Sequence, residues 1–153
     1  MYIYYLLAIL FAILDQLVKL AVVKQIPLGD EVNVIPGILS FFHIRNTGAA
    51  WSMLEGQMWF FTVITLLAIV AVSYLLAKYG KTNGWLFSLS LSMILGGTFG
   101  NYFDRMRLGY VVDMFKLDFI NFPIFNIADI ELTVGVTIMF IYIILRSDSN
   151  INE

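Results

Sequence analysis

Residues 56–103 read GQMWFFTVITLLAIVAVSYLLAKYGKTNGWLFSLSLSMILGGTFGNYF, and this stretch decides the fold class. It holds two charge-free runs, 56–77 and 82–103, each 22 residues long. About 20 consecutive apolar residues cross roughly 30 Å of hydrocarbon as a helix, so each run is long enough to span a bilayer. The segment between them, KYGKTNG at 78–84, is rich in turn formers. Two spans joined that tightly make an antiparallel helical hairpin.

Outward from this hairpin the pattern repeats twice. Residues 2–23 are apolar except for Asp15 and Lys19, and residues 127–145 are interrupted only by Asp129 and Glu131 near their start. Four transmembrane helices are therefore expected, at about 2–23, 57–77, 83–103 and 127–145, in one integral membrane domain over 1–153. Composition agrees: 60% of residues are hydrophobic and 13% charged, too little polar surface to cover a water-soluble globule of this size. The first span lacks a basic leader and a small-residue cleavage site, so it is expected to stay in the mature protein.

Four spans put both termini on one side and the connections 24–56 and 104–126 together on the other. Lys78 and Lys81 in the turn 78–82, with Arg146 after the last span, place the turn and both termini in the cytoplasm. The long loops carry five cationic residues, Lys24, Arg45, Arg105, Arg107 and Lys116, but Arg45 and Arg105 read as site residues. Within the first loop, 31–34 and 41–44 are β-prone runs around Pro36-Gly37, which predicts a small extramembrane β-rich platform. Residues 46–57 are expected to form a short interfacial helix, with Trp51 and Trp59 at headgroup level.

Scattered positive charge at a net charge of −2 excludes a nucleic-acid surface. Without cysteine, and with His43 as the one histidine, there is neither a thiolate nucleophile nor a histidine metal cluster. No cofactor or metal is expected, and chemistry falls to carboxylates, amides, hydroxyls, Lys and Arg. Asp15 and Lys19, four apart with the acid first, suit an ion pair on one helix face about 13 Å below the end of the first span. That pair either supports the bundle or orients a site. Gly96 and Gly100 let a neighbouring helix approach closely. Asp104 and Arg105 are adjacent and point about 100° apart on a helix, better placed to bind third groups than each other. Asn126 suits a helix N-cap and Asp129 the first turn behind it.

Each of these residues alone has a plain structural explanation, and their convergence is what points to chemistry. Asp104, Asp113 and Asp129, with Asn101, Arg105 and Asn126, all fall at the membrane face that also receives Arg45 and Asn46. Two carboxylates brought close together cannot both ionise cheaply; one keeps its proton while the other accepts one from water. Such a dyad hydrolyses an amide without a covalent intermediate. Spacing leaves open which two aspartates form it. It also leaves open a proton-coupled transporter or an assembly subunit built on the buried charges. A Ser/Lys peptidase using Ser52 or Ser92 with Lys19 ranks below these, because Asp15 one turn away opposes the deprotonation that such a lysine needs.

Taken in order, Asp15-Gln16-Leu17-Val18-Lys19, Arg45-Asn46-Thr47-Gly48-Ala49-Ala50-Trp51-Ser52, Gly100-Asn101-Tyr102-Phe103-Asp104-Arg105 with Gly109-Tyr110-Val111-Val112-Asp113, and Phe122-Pro123-Ile124-Phe125-Asn126-Ile127-Ala128-Asp129 resemble the lipoprotein signal peptidase (signal peptidase II) family across nearly the whole chain. The resemblance implies an aspartic endopeptidase of the bacterial inner membrane, with its site near the outer face. It would cut signal peptides from prolipoproteins before a diacylglyceryl-modified cysteine, act as a monomer, and meet membrane lipids. By motif position it makes Asp113 and Asp129 the catalytic pair and Asp15, Lys19, Asn46, Gly48, Asn101, Asp104, Arg105 and Asn126 the supporting or substrate-binding residues. It also implies that the β-rich platform and short helix help cover the site. Two departures stand out: Met114 where an aromatic is expected, and Glu131, an extra acid two residues after Asp129 that either perturbs it or faces the headgroups.

Overall fold

Gly96, Gly97 and Gly100 explain the centre of the molecule. In the computed structural model, which describes residues 2–48 and 56–151, they lie on α3 (Gly84–Leu108), the helix that packs against each of the other three, α1 (Tyr2–Gln25), α2 (Met58–Tyr79) and α4 (Ile127–Ile151). A Cβ on Gly96 would sit 2.5 Å from Phe11 Cβ of α1, and one on Gly97 would sit 2.4 Å from the Ala128 carbonyl of α4. Gly135 returns the contact from α4, where a Cβ would stand 2.9 Å from the Ser90 carbonyl. Helices in lipid gain no hydrophobic drive toward one another, so backbone approach at small residues is what holds α3 in the middle.

The molecule is polar inside and apolar outside. Leu10 and Leu17 of α1, Leu67 and Val70 of α2, and Phe140 and Ile143 of α4 are exposed, whereas Asp15, Lys19, Ser88, Ser92, Asn101 and Asp104 are buried. This inversion marks a membrane-embedded protein. Three helical segments, Tyr2–Gln25, Met58–Tyr79 and Ile127–Arg146, are long and apolar enough to cross a membrane. α3 is as long but less apolar, because its serines and glycines face other helices. Ser88 and Ser92 donate to backbone carbonyls, Ser88 to Gly80 (2.9 Å) and Ser92 to Ser88 (2.7 Å), so they go into the interior without orphaned hydroxyls. α3 also runs five residues past the expected end at 103, which puts Asp104, Arg105 and Arg107 on a helix rather than in a loop. It stops at Gly109, whose φ of 78° suits a glycine and whose N–H donates to the Arg105 carbonyl at 3.1 Å.

A three-stranded antiparallel sheet sits on the ends of α1 and α3, in the order β1 (Glu31–Ile35), β2 (Leu39–Asn46), β3 (Val111–Leu117). The turn at Pro36-Gly37 falls where expected; Gly37 takes φ 73° and the Ile38 N–H donates to the Ile35 carbonyl at 2.9 Å. Val112 and Met114 of β3 pack on Val22 and Ile26 at the end of α1, with Phe41 and Phe115 beside them. The short interfacial helix expected at 46–57, with Trp51 and Ser52, falls mainly in 49–55, outside the described residues. Trp59 opens α2 and is exposed.

Candidate active site

The start of α4 is built as a reciprocal cap. Asn126 precedes the helix, its Oδ1 accepts the Asp129 N–H (3.0 Å), and Asp129 Oδ2 accepts the Asn126 N–H (3.1 Å). This is a capping box with Asp in the place of the usual Glu, and it fixes the Asp129 carboxylate against the positive end of the helix dipole. Asp129 Oδ1 accepts a further bond from Asn101 Nδ2 at 2.8 Å. Asp129 is half-buried, open on one side to the cleft.

Asp113 comes from β3 and is buried, with Val111, Val112 and Met114 around it. Asn46 Nδ2 donates to its Oδ2 (2.8 Å) and Asn126 Nδ2 to its Oδ1 (2.6 Å). Asn126 thus holds both aspartates, one through its side chain and the other through its backbone and side chain. Burial, followed by the charge of Asp129, pushes the Asp113 carboxyl up to about 7 from an ordinary 3.8, against the lowering effect of the two asparagines and Lys19.

Beneath this pair lies a layer of paired charges. The buried Lys19 ammonium donates to Asp15 Oδ2 (2.9 Å), Asp104 Oδ2 (3.0 Å) and Asn101 Oδ1 (3.0 Å), using all three of its protons. Asp15 Oδ1 in turn accepts the N–H of Ala128 at 2.9 Å, and Asp104 Oδ2 accepts the N–H of Val112 at 3.1 Å. Each carboxylate therefore grips the backbone one residue before a cleft aspartate, Ala128 before Asp129 and Val112 before Asp113. A single ammonium joins the two grips. Gly100 leaves the room, since a Cβ there would stand 2.5 Å from Asp15 Oδ2.

The cleft above has a volume of about 660 Å³ and runs from the two aspartates down between α2, α3 and α4, where Thr65, Ala68, Thr98 and Leu132 line it. Phe122, Pro123, Ile124 and Phe125 wall it on the other side. Arg105 lies across its mouth, with Nη2 donating to the Gly48 carbonyl (3.3 Å) and the guanidinium 4.8 Å from the Phe61 ring centre. Gly48 is placed by its own N–H, which donates to Asn46 Oδ1 at 2.9 Å. The polar end offers hydrogen bonds and charge; the deep end offers apolar wall and the threonines Thr65, Thr98 and Thr133.

All ten residues singled out from the sequence meet in this one region, in the two layers described. Arg45 does not; it is exposed and stacks on Tyr110 at 4.8 Å. Glu131 does not face the headgroups. It is 4% exposed on the interior side of α4, and neither of its carboxyl oxygens has a hydrogen-bond partner in the structure. Gln16 was passed over in the sequence although it stands beside Asp15, and a polar residue within an apolar span was the available signal. Its Nε2 donates to Asp104 Oδ1 (2.9 Å) and lies 3.2 Å from both Asp15 Oδ2 and the Gly100 carbonyl. Phe61 and Thr65 carried no signal, being ordinary members of an apolar run. Among the described residues the Ser/Lys arrangement is not assembled: Lys19 is taken up by Asp15 and Asp104, and Ser92 lies about 13 Å along α3 from Asn101, bonded within its own helix, while Ser52 falls outside them.

Fold and site together define a membrane-embedded protein whose polar cleft holds two aspartates on one asparagine. The chain matches the family described as Signal peptidase (SPase) II over residues 7–145. It is 50% identical over 150 residues to the lipoprotein signal peptidase of Lactiplantibacillus plantarum, covering 97% of this chain and 98% of that one. It is 54% identical over 143 residues to that of Enterococcus faecalis, covering 94% and 88%. Its fold matches a bacterial membrane enzyme solved by the in meso method at 2.3 Å resolution, with a TM-score of 0.88 at 35% identity over 98% of this chain and 92% of the other. The chain belongs to the signal peptidase II family and is a peptidase.

Proposed function

We propose that this chain removes signal peptides from bacterial prolipoproteins as an aspartic endopeptidase, with Asp113 and Asp129 as its catalytic pair. The observation that carries the assignment is the shared bridge at Asn126, which holds both carboxyls at the open end of one cleft. Asp113 is the more buried and keeps the proton; Asp129, half-buried at a helix start, carries the charge. In the first step Asp129 takes a proton from water, whose oxygen bonds to the scissile carbonyl carbon, while Asp113 gives its proton to the carbonyl oxygen. In the second, the proton on Asp129 passes to the leaving nitrogen, Asp113 recovers a proton from the diol, and the C–N bond breaks. The products are a signal peptide with a free carboxylate and a lipoprotein with a free amine.

The substrate is a prolipoprotein cut just before a diacylglyceryl-modified cysteine, supplied from the bilayer and not from water. Acyl chains and the apolar signal segment suit the deep end of the cleft, and the peptide backbone suits Arg105, Asn46 and the Gly48 carbonyl at its mouth. The protein crosses the inner membrane four times as a monomer, with α3 as the fourth crossing, both termini in the cytoplasm and the cleft mouth at the outer face. The lysines of the α2–α3 turn support that orientation. Transport or assembly as the main activity is not favoured by the family.

The test is cleavage of a diacylglyceryl-modified prolipoprotein peptide by purified protein in nanodiscs, comparing wild type with Asp113→Asn and Asp129→Asn at equal folded concentration. Each variant is expected to lose about 10³-fold or more in kcat. Cleavage retained in both overturns the pair and turns attention to Asp104. Absence of cleavage by wild type overturns the substrate.

A further inference from the structure

β2 and β3 fall out of step at one place. Phe41 pairs with Phe115 and Ile44 with Asp113, so three steps along β2 are matched by two along β3. Phe42 and His43 together oppose the single residue Met114, which is the count of a β-bulge. The extra residue sets the phase of the strand after it. Asn46 pairs with Val111 and therefore shares the Asp113 face, where its Nδ2 donates to Asp113 Oδ2 at 2.8 Å. Arg45 pairs with Val112 and points to the other face, where its guanidinium lies 4.8 Å from the centre of the Tyr110 ring. Without the extra residue Arg45 would stand opposite Val111 and Asn46 would turn away from Asp113, because a slip of one exchanges the two faces of a strand. The bulge thus sorts two neighbours in the sequence, one into the site and the other out of it.

The bulge is held from the side away from β3. The His43 N–H donates to the Asp30 carbonyl (3.2 Å) and the His43 carbonyl accepts the Gly29 N–H (2.9 Å), so both backbone groups are engaged by the link between α1 and β1. The buried ring adds a third bond, from Nδ1 to the Ile26 carbonyl at 2.8 Å. A carbonyl only accepts, so Nδ1 carries the proton. Ile26 stands one residue past the end of α1, where a finished helix leaves its last carbonyls without partners of their own. Met114, the single residue across the bulge, is fully buried in one cluster with the same Ile26 and with Val22. His43 is the one histidine of the chain, and the proposed chemistry makes no use of it.

We infer that His43 is a positioning residue for the reaction: by tying the bulge in β2 to the end of α1, it fixes the strand phase that delivers Asn46, and not Arg45, to Asp113. The same phase reaches the cleft mouth, because Asn46 Oδ1 accepts the Gly48 N–H at 2.9 Å and the Gly48 carbonyl accepts from Arg105. The consequence for turnover rests on the reading of Asp113 as catalytic; the register itself does not.

The chain contains no cysteine, so paired cysteines read the register without reference to activity. In the full chain in nanodiscs, Arg45→Cys with Val112→Cys should oxidise to a disulfide in preference to Ile44→Cys with Val112→Cys, since only the first two positions are direct cross-strand partners. His43→Leu removes the ring donor, and in that background the ratio of the first pair to the second should fall about fivefold or more, the worth of one hydrogen bond. His43→Asn, whose Nδ2 stands where the histidine Nδ1 does, should keep the parent ratio. If His43→Leu does not fold, His43→Thr, whose hydroxyl stops one atom short of that position, takes its place. An unchanged ratio in the variant without the donor overturns the inference, and so does an equal fall in His43→Asn. Cleavage of the lipopeptide gives the second readout. His43→Leu should move the alkaline limb of kcat/KM upward by about one pH unit, in the direction expected of Asn46→Ala, and the double variant should move it no further. His43→Asn should leave the limb in place, which separates loss of the bond from loss of a titrating ring. Additive shifts in the double variant overturn the inference. Absence of cleavage by wild type overturns the peptidase reading instead, and the disulfide ratio still decides the role of His43.

Discussion

Two carboxylate layers are stacked at one end of the bundle, and they are held in opposite ways. In the lower layer Asp15 and Asp104 are buried and share the Lys19 ammonium, and each also accepts a backbone N–H. In the upper layer Asp113 and Asp129 have no cation at hydrogen-bond distance among the described residues; their partners there are neutral amides and one backbone N–H. Burial alone does not distinguish them, since Asp15 and Asp113 are equally hidden. What differs is the partner. A carboxylate paired with an ammonium and a backbone N–H is held in place by both, whereas one held by side-chain amides has no counter-charge in contact with it. On the proposed assignment the lower layer is frame and the upper one is site.

Breaking the lower layer should have the largest effect. Lys19→Met leaves Asp15 and Asp104 facing each other without the cation, and loss of one partner from a buried ion pair costs about 3–5 kcal/mol. A fall in Tm in detergent and loss of cleavage are expected together, and a fall in Tm with cleavage retained would show that the two layers are independent. Gly100→Ala probes the same layer sterically, because its methyl must displace Asp15 from Lys19 and the Ala128 N–H. Overpacking of this kind costs about 1–3 kcal/mol, read as a lower Tm, and an unchanged Tm would show that the layer gives way easily.

The upper layer is sharpened by pH. On the proposed mechanism Asp113 holds its proton for the first step, so kcat/KM should decline above about pH 7, roughly tenfold per unit, as that proton is lost. Asn46 donates to Asp113 and favours its charged form, so Asn46→Ala should move the alkaline limb to higher pH. A limb that stays in place would separate Asp113 from the limb. The smallest effect belongs to Ser92→Ala, which sits in neither layer; cleavage within about twofold of wild type is expected, and a large loss would revive the serine mechanism.

Much of this was legible in the chain. The helices follow from long apolar runs, two of them charge-free, the Pro36-Gly37 hairpin from turn chemistry, and the cap at Asn126 from its place before an apolar run with Asp129 three residues on. The three candidate aspartates were also visible, but spacing did not say which two would pair, and the family resemblance was needed to choose. Glu131 shows the limit. Its position in an apolar helix allowed either a headgroup-facing or an inward side chain, and the helix phase set by Ala128 against Gly97 and Gly100 turned it inward.

By itself the sequence determined that the protein belongs in a bilayer, how many long apolar segments it has, and which few polar residues it keeps, because hydrocarbon admits a backbone only as long self-satisfied helices and makes every buried charge costly. Tertiary structure decided which of those residues became frame and which became site. Lys19 lies 85 positions before Asp104 and still bonds to it, and Asn126 reaches Asp113 across the β3–α4 connection. Such partnerships depend on how closely α3 approaches α1 and α4 at its glycines, a distance set by packing and not by any local pattern in the chain.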